Sequence, residues 1–107
     1  MNKIHKMRRT NQKVRAYLEK RGVQKIFIKE HSRFSKDIWG LFDGFYIDTE
    51  RGIVLMQIKT NRFSGMKSIE DFAKLHNVPC EIIMFKDRDT KAYVKEFLPV
   101  KHLNHNT

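Results

Sequence analysis

The sequence predicts an α/β domain built on a mixed β-sheet with a helix on each side. Three observations carry this. Residues 10–21 place Val14, Tyr17 and Leu18 at helical spacing. Short apolar runs with the length of strands, bounded by turn residues, recur along the chain, most clearly at 41–47, 53–59 and 80–85. A second helical pattern over residues 66–76 falls between two of these runs, giving the alternation of an α/β layer structure.

Each element has its own local grounds. Thr10 or Asn11 is a suitable N-cap for the first helix, and Gly22 is a suitable stop after Arg21. Lys13, Arg15, Lys20 and Arg21 make its outer face basic. A short strand is expected over Gln24–Lys29, with Ile26 and Ile28 on one face, and then a polar, basic loop over Glu30–Lys36. The strands Leu41–Ile47 and Ile53–Lys59 flank Asp48-Thr49-Glu50-Arg51-Gly52, which has the length and the glycine of a hairpin turn. Ile69, Phe72, Ala73 and His76 repeat at helical spacing, and Ser68 with Asp71 has the spacing of a capping box. The strand Cys80–Phe85 follows Pro79, and the turn Asp87–Thr90 leads to a last strand, Lys91–Phe97.

The 107 residues suffice for one domain. A chain of this size buries roughly 65% of the surface exposed when unfolded, so it builds a core without a staple. Cys80 is the only cysteine, which excludes an internal disulfide and a multi-cysteine zinc site. No apolar segment follows the basic N-terminus, and the apolar runs are too short to span a membrane. An intracellular, cytoplasmic protein with no membrane partner is expected. The organisation reads as a basic arm over 1–9, a domain over 10–98 and a polar tail over 99–107. Lysine and arginine outnumber aspartate and glutamate 22 to 12, for a net charge of +10. Fold stability does not need that imbalance, and self-repulsion opposes it, so a polyanionic partner is expected.

The chemistry lies in the hairpin. Gln57 and Lys59 alternate onto one face with Ile53 and Leu55, opposite Val54, Met56 and Ile58. Two polar side chains on so apolar a strand are unfavourable without partners or a task. Asp43 interrupts an apolar run at the start of the preceding strand, where the hairpin brings it toward Gln57. A carboxylate, an amide oxygen and a lysine are the groups that Mg²⁺-assisted phosphodiester hydrolysis uses.

Asp43, followed after thirteen residues by Gln57-Ile58-Lys59, resembles the PD-(D/E)xK nuclease superfamily, its small Holliday-junction-resolvase-like, archaeal or viral members in particular. The likeness covers residues 10–97. It implies a restriction-endonuclease-like α-β-β-β-α-β core, a central mixed sheet flanked by helices. It implies an endonuclease acting on DNA, branched substrates included, with Mg²⁺ as cofactor, Mn²⁺ substituting, and no small-molecule cofactor. A homodimer is expected, located in the host cytoplasm were the source viral. Asp43, Gln57 and the backbone carbonyl of Ile58 would hold the metal, and Lys59 would act on the attacking water. Gln57 stands where the superfamily usually has an acid, and Asn11 and Gln12 where its first helix often has a glutamate. Asp37 and Gln12 are auxiliary candidates, Asp37 otherwise being an ordinary loop carboxylate. Arg8, Arg9, Lys13, Arg33, Lys36 and Arg62 are the expected DNA contacts. A non-catalytic DNA-binding protein on the same scaffold is the alternative, and an RNA-binding or ribosome-associated protein is a third, resting on charge alone.

Overall fold

Five strands form one mixed sheet in sequence order, and two helices pack on its opposite faces. The computed structural model describes residues 3–29 and 37–99, with side chains from Met7 onward. Its elements are α1 (Lys3–Lys20), β1 (Ile26–Ile28), β2 (Gly44–Asp48), β3 (Gly52–Thr60), α2 (Met66–His76), β4 (Cys80–Phe85) and β5 (Ala92–Phe97). The chain is therefore α/β with a mixed sheet, as its sequence predicts. Neighbouring strands are antiparallel except β3 and β4, which run parallel from Leu55↔Cys80 to Thr60↔Phe85. Parallel neighbours need a long connection, and the segment containing α2 supplies it.

β3 is buried on both faces. Val54, Met56 and Ile58 meet Val14 and Leu18 of α1, with Tyr46, Ile83 and Phe85 completing that layer. On the other face Leu55 meets Ile69 and Ala73 of α2, together with Phe42, Cys80 and Ile82. The two-sided burial explains why β4 reads as an unbroken apolar run apart from Glu81, all six of its residues being buried. Burial also pushes the Cys80 thiol up to about 12, so it stays protonated. Among the described residues no helix is long and apolar enough to cross a membrane.

Several boundaries differ from the sequence reading. α1 begins at Lys3 and not at Thr10, so residues 3–9, expected as an arm, form its first turns. Thr10 does not cap the helix. It is buried and shares a hydrogen bond of 2.8 Å with the Thr60 hydroxyl. β1 is three residues long, and β2 starts at Gly44, three residues later than expected. The reason is a tight turn at Ile38–Leu41, closed by Leu41 N–H donating to the Ile38 carbonyl at 3.0 Å. The expected capping box is replaced by Gly65 at the N-cap of α2, with no side-chain bond, and Asp71 pairs with Lys67 at 3.0 Å. Pro99 is buried, and residues 100–107, expected as a tail, lie outside the described residues.

A polar cluster pins the β2–β3 hairpin to β4. Arg51 donates to Asp48 at 2.7 Å, to Glu81 at 3.0 Å and to the Tyr46 hydroxyl at 2.7 Å, and it also reaches Glu96. Tyr46 donates to the second Glu81 oxygen at 2.7 Å. Burial, and then its bond to Glu81, raises the Tyr46 phenol well above its ordinary range.

Gly44 sits opposite Ile28 in the antiparallel β1–β2 pair, where the β1 backbone comes close. A Cβ there would overlap the backbone carbonyl oxygen of Phe27, which cannot swing aside as a side chain can. Gly44→Ala should therefore push β1 off the sheet and cost about 1–3 kcal/mol, the range for overpacking. The check is the urea midpoint at unchanged slope. An unshifted midpoint would mean that β1 contributes nothing at that pairing.

Candidate functional site

Where β2 begins at Gly44, β3 extends four residues past the pairing, and Asp43 occupies the corner this leaves. Gly44 is the register partner of Met56, yet the Asp43 N–H also donates to the Met56 carbonyl, at 2.9 Å. Two consecutive residues thus address one across the ladder, the count that defines a β-bulge. Such an irregularity re-aims a side chain. Here the Asp43 Oδ2 accepts the backbone N–H of Ile58 at 2.7 Å. Asp43 is 5% exposed, and it is bonded to the residue lying between Gln57 and Lys59. The structure accordingly brings Asp43, Gln57, Ile58 and Lys59 to one corner of the sheet.

The two flanking side chains share the α2 face of β3, and both are half-buried. Gln57 donates from Nε2 to the Leu41 carbonyl at 2.9 Å, bracing the turn at 38–41. That bond decides which end of the amide is which, since an oxygen facing a carbonyl would repel it. Its Oε1 is buried and has no hydrogen-bond partner among the described residues. A Cβ on Gly65 would lie 3.8 Å from this oxygen, so it faces the loop that opens α2. No hydrogen bond or ion pair engages the Lys59 ammonium among the described residues.

α1 contributes a residue that the sequence reading did not count among the auxiliary candidates. Arg9 pairs with Asp87 at 3.6 Å, and Lys13 donates to the Lys86 carbonyl at 3.3 Å, so this flank of α1 leans toward the end of β4. Asn11, two positions from each, sits roughly 200° around the helix on the opposite flank. Its Oδ1 is buried with no partner among the described residues. Gln12, the expected auxiliary, is exposed. The signal for Asn11 was its spacing, three and seven residues before Val14 and Leu18 on the buried face.

The other expected contacts divide. Arg8 and Arg62 are exposed. Arg9 and Lys13 are at the surface but already bonded to the 86–87 turn. Asp37 is exposed, and its carbonyl accepts the Gly40 N–H at 3.2 Å. Arg33 and Lys36 lie outside the described residues.

Among the described residues no three histidine, cysteine or acidic side chains converge in a way that could hold a metal ion. The donors at this corner are instead oxygens of mixed kind. They are the Asp43 carboxylate, the orphaned Gln57 Oε1 and the backbone carbonyl of Ile58, whose N–H and C=O point toward the same strand edge. A single carboxylate with neutral oxygens suits a hard cation that keeps several waters, as Mg²⁺ does, and not zinc. A buried amide oxygen without a partner is unfavourable unless something fills that role, so these residues fit such a cation. No protein-family model, curated protein or solved structure matches the chain.

Proposed function

We propose that this protein is a Mg²⁺-dependent DNA endonuclease on a restriction-endonuclease-like scaffold. One observation carries the reading: the Asp43 carboxylate is bonded to the backbone between Gln57 and Lys59, toward the end of a strand whose middle, Val54–Met56, is core. The order helix, three strands, helix, strand agrees with that scaffold, to which β5 is an addition. A net charge of +10 supplies the attraction for the polyanion.

Asp43, Gln57 Oε1 and the Ile58 carbonyl would hold the cation. When bound, it polarises the scissile phosphate and acidifies a coordinated water. Lys59 sits one alternation along from Gln57, roughly 6.6 Å away on the same face. Its ammonium orients the attacking water or stabilises charge developing on the phosphoryl oxygens. The Asp43 carboxylate is kept in place by the Ile58 N–H, so it needs no rearrangement when substrate arrives. Arg8 and Arg62 are open for phosphate contacts. Each chain has one such corner, so cutting both strands of a duplex calls for two copies.

The second reading, a non-catalytic DNA-binding protein, is favoured by the Gln57 brace on Leu41. That bond gives the residue a structural use without any metal. Cleavage of labelled linear, single-stranded, flapped and four-way-junction DNA, with Mg²⁺, Mn²⁺ or EDTA, separates the two. Metal-dependent cutting lowered about 100- to 1000-fold by Lys59→Ala is the expected result. Binding with no cutting in either metal would leave the binding reading alone.

A further inference from the structure

We propose that Trp39 is a stacking platform for an unpaired nucleobase of the bound strand, which makes the substrate class nucleic acid with single-stranded or unpaired nucleotides. The proposal rests on the nucleic-acid reading above. Trp39 occupies the first central position of the 38–41 turn, and both central residues have positive φ, 51° at Trp39 and 71° at Gly40. A bulky side chain is seldom found there. The indole is nonetheless 69% exposed. One of its faces lies on Phe72, with ring centroids 5.7 Å apart and planes 25° from parallel. Phe72 in turn stands edge-on to the buried Phe42 and against His76. The indole therefore has a rigid backing and an open outer face. Beside it opens a cavity of about 610 Å³ lined by Trp39, Ile53, Leu55, Phe72, His76 and Val78, with no lysine, arginine or acid in its wall.

The occupant follows from charge and position together. The protein attracts a polyanion, but this cavity offers phosphates no lysine or arginine and is apolar apart from the His76 ring, so it takes the flat, uncharged part of that polyanion. A paired base shows only its edges in the grooves, whereas an unpaired base offers its face to an aromatic ring. Trp39 is four residues from Asp43, on the turn whose Leu41 carbonyl Gln57 holds. A strand with a phosphate at the Asp43 corner thus has a neighbouring base within reach of the indole.

Trp39 is the only tryptophan, so its fluorescence reports this site alone. The full chain, in EDTA to prevent cutting, is titrated with oligothymidylate and with an abasic strand of the same length. Quenching by oligothymidylate and not by the abasic strand is expected. Read for every protein by the anisotropy of a labelled strand, Trp39→Ala should weaken oligothymidylate binding about 5- to 150-fold, the usual worth of one stacked base, and leave the abasic strand unaffected. Trp39→Phe, which keeps a ring at the turn, should recover part of the loss. Equal binding of both strands, unchanged in Trp39→Ala, overturns the stacking role, leaves the nuclease reading standing and returns the cavity to an apolar protein segment. Failure of both strands to bind overturns the stacking role, and failure of duplex and four-way-junction DNA to bind in the same titration overturns the nucleic-acid reading as well.

Discussion

Alanine at Asp43 should sharply slow Mg²⁺-dependent cleavage and destabilise the fold by about 1–3 kcal/mol, while asparagine there should slow cleavage as much and leave most of the stability. The carboxylate has two roles in one position. It accepts the Ile58 N–H at 2.7 Å in a place that is 5% exposed, so alanine leaves a buried donor without a partner. Asparagine still offers an oxygen to that N–H but brings no charge for a cation. Cleavage rates and urea midpoints on the three proteins separate the roles. A loss of about 100- to 1000-fold in rate for both variants is expected, with a clear midpoint shift for alanine only. If Asp43→Asn cuts as fast as the parent, Asp43 is a backbone cap and the proposed metal centre is wrong.

The largest effect on stability is expected at the opposite end of β3. Arg51→Ala should cost about 3–5 kcal/mol, because it leaves the Glu81 carboxylate buried without its cation. The Glu81 side chain is 3% exposed and would retain only the Tyr46 hydroxyl among its described partners. Burial opposes the Arg51 charge, but its bonds to Asp48 and Glu81 more than offset this and raise its pKa. Replacing both partners by leucine should cost less than Arg51→Ala, since two apolar groups leave no buried charge behind. Urea unfolding of the single and double variants tests this, and a single-variant cost under about 1 kcal/mol would mark the cluster as an ordinary surface pair. The Asp43 corner lies seven residues along β3, roughly 23 Å away, so folded Arg51→Ala should keep its DNA affinity. The cluster also has an acid limb. The Glu50 N–H, with Arg51 adding to it, holds the Asp48 carboxyl below its ordinary value. A depressed folded pKa means that this contribution is complete above about pH 4 and lost as pH falls through the folded value.

Much of the scaffold is local in origin. α2, β4 and β5 were legible within a residue or so, because periods of 3.6 and 2 are set by neighbours along the chain. The alternation in β3 likewise singled out Val54, Met56 and Ile58 as one buried face, and Gln57 and Lys59 as intruders on the other. The hairpin was marked by Gly52, and it follows that Asp43 approaches Gln57. The beginning of α1 was not legible. Residues 3–9 have little apolar signal, and Thr10, which looks like a cap, is buried against Thr60, fifty residues away.

The rest belongs to contacts between distant segments. That Leu55 is core while Ile53 is 53% exposed depends on how far α2 reaches across the sheet. That Asp43 bonds the Ile58 N–H depends on a slip in register between strands, which no residue type specifies alone. Which amide of Asn11 and Gln12 turns inward depends on how α1 leans toward the end of β4. By itself the sequence determined the element types, the polar intruders and the charge. The tertiary structure decided which of those side chains meet, because faces many residues apart come together only where burial and backbone pairing are satisfied at once.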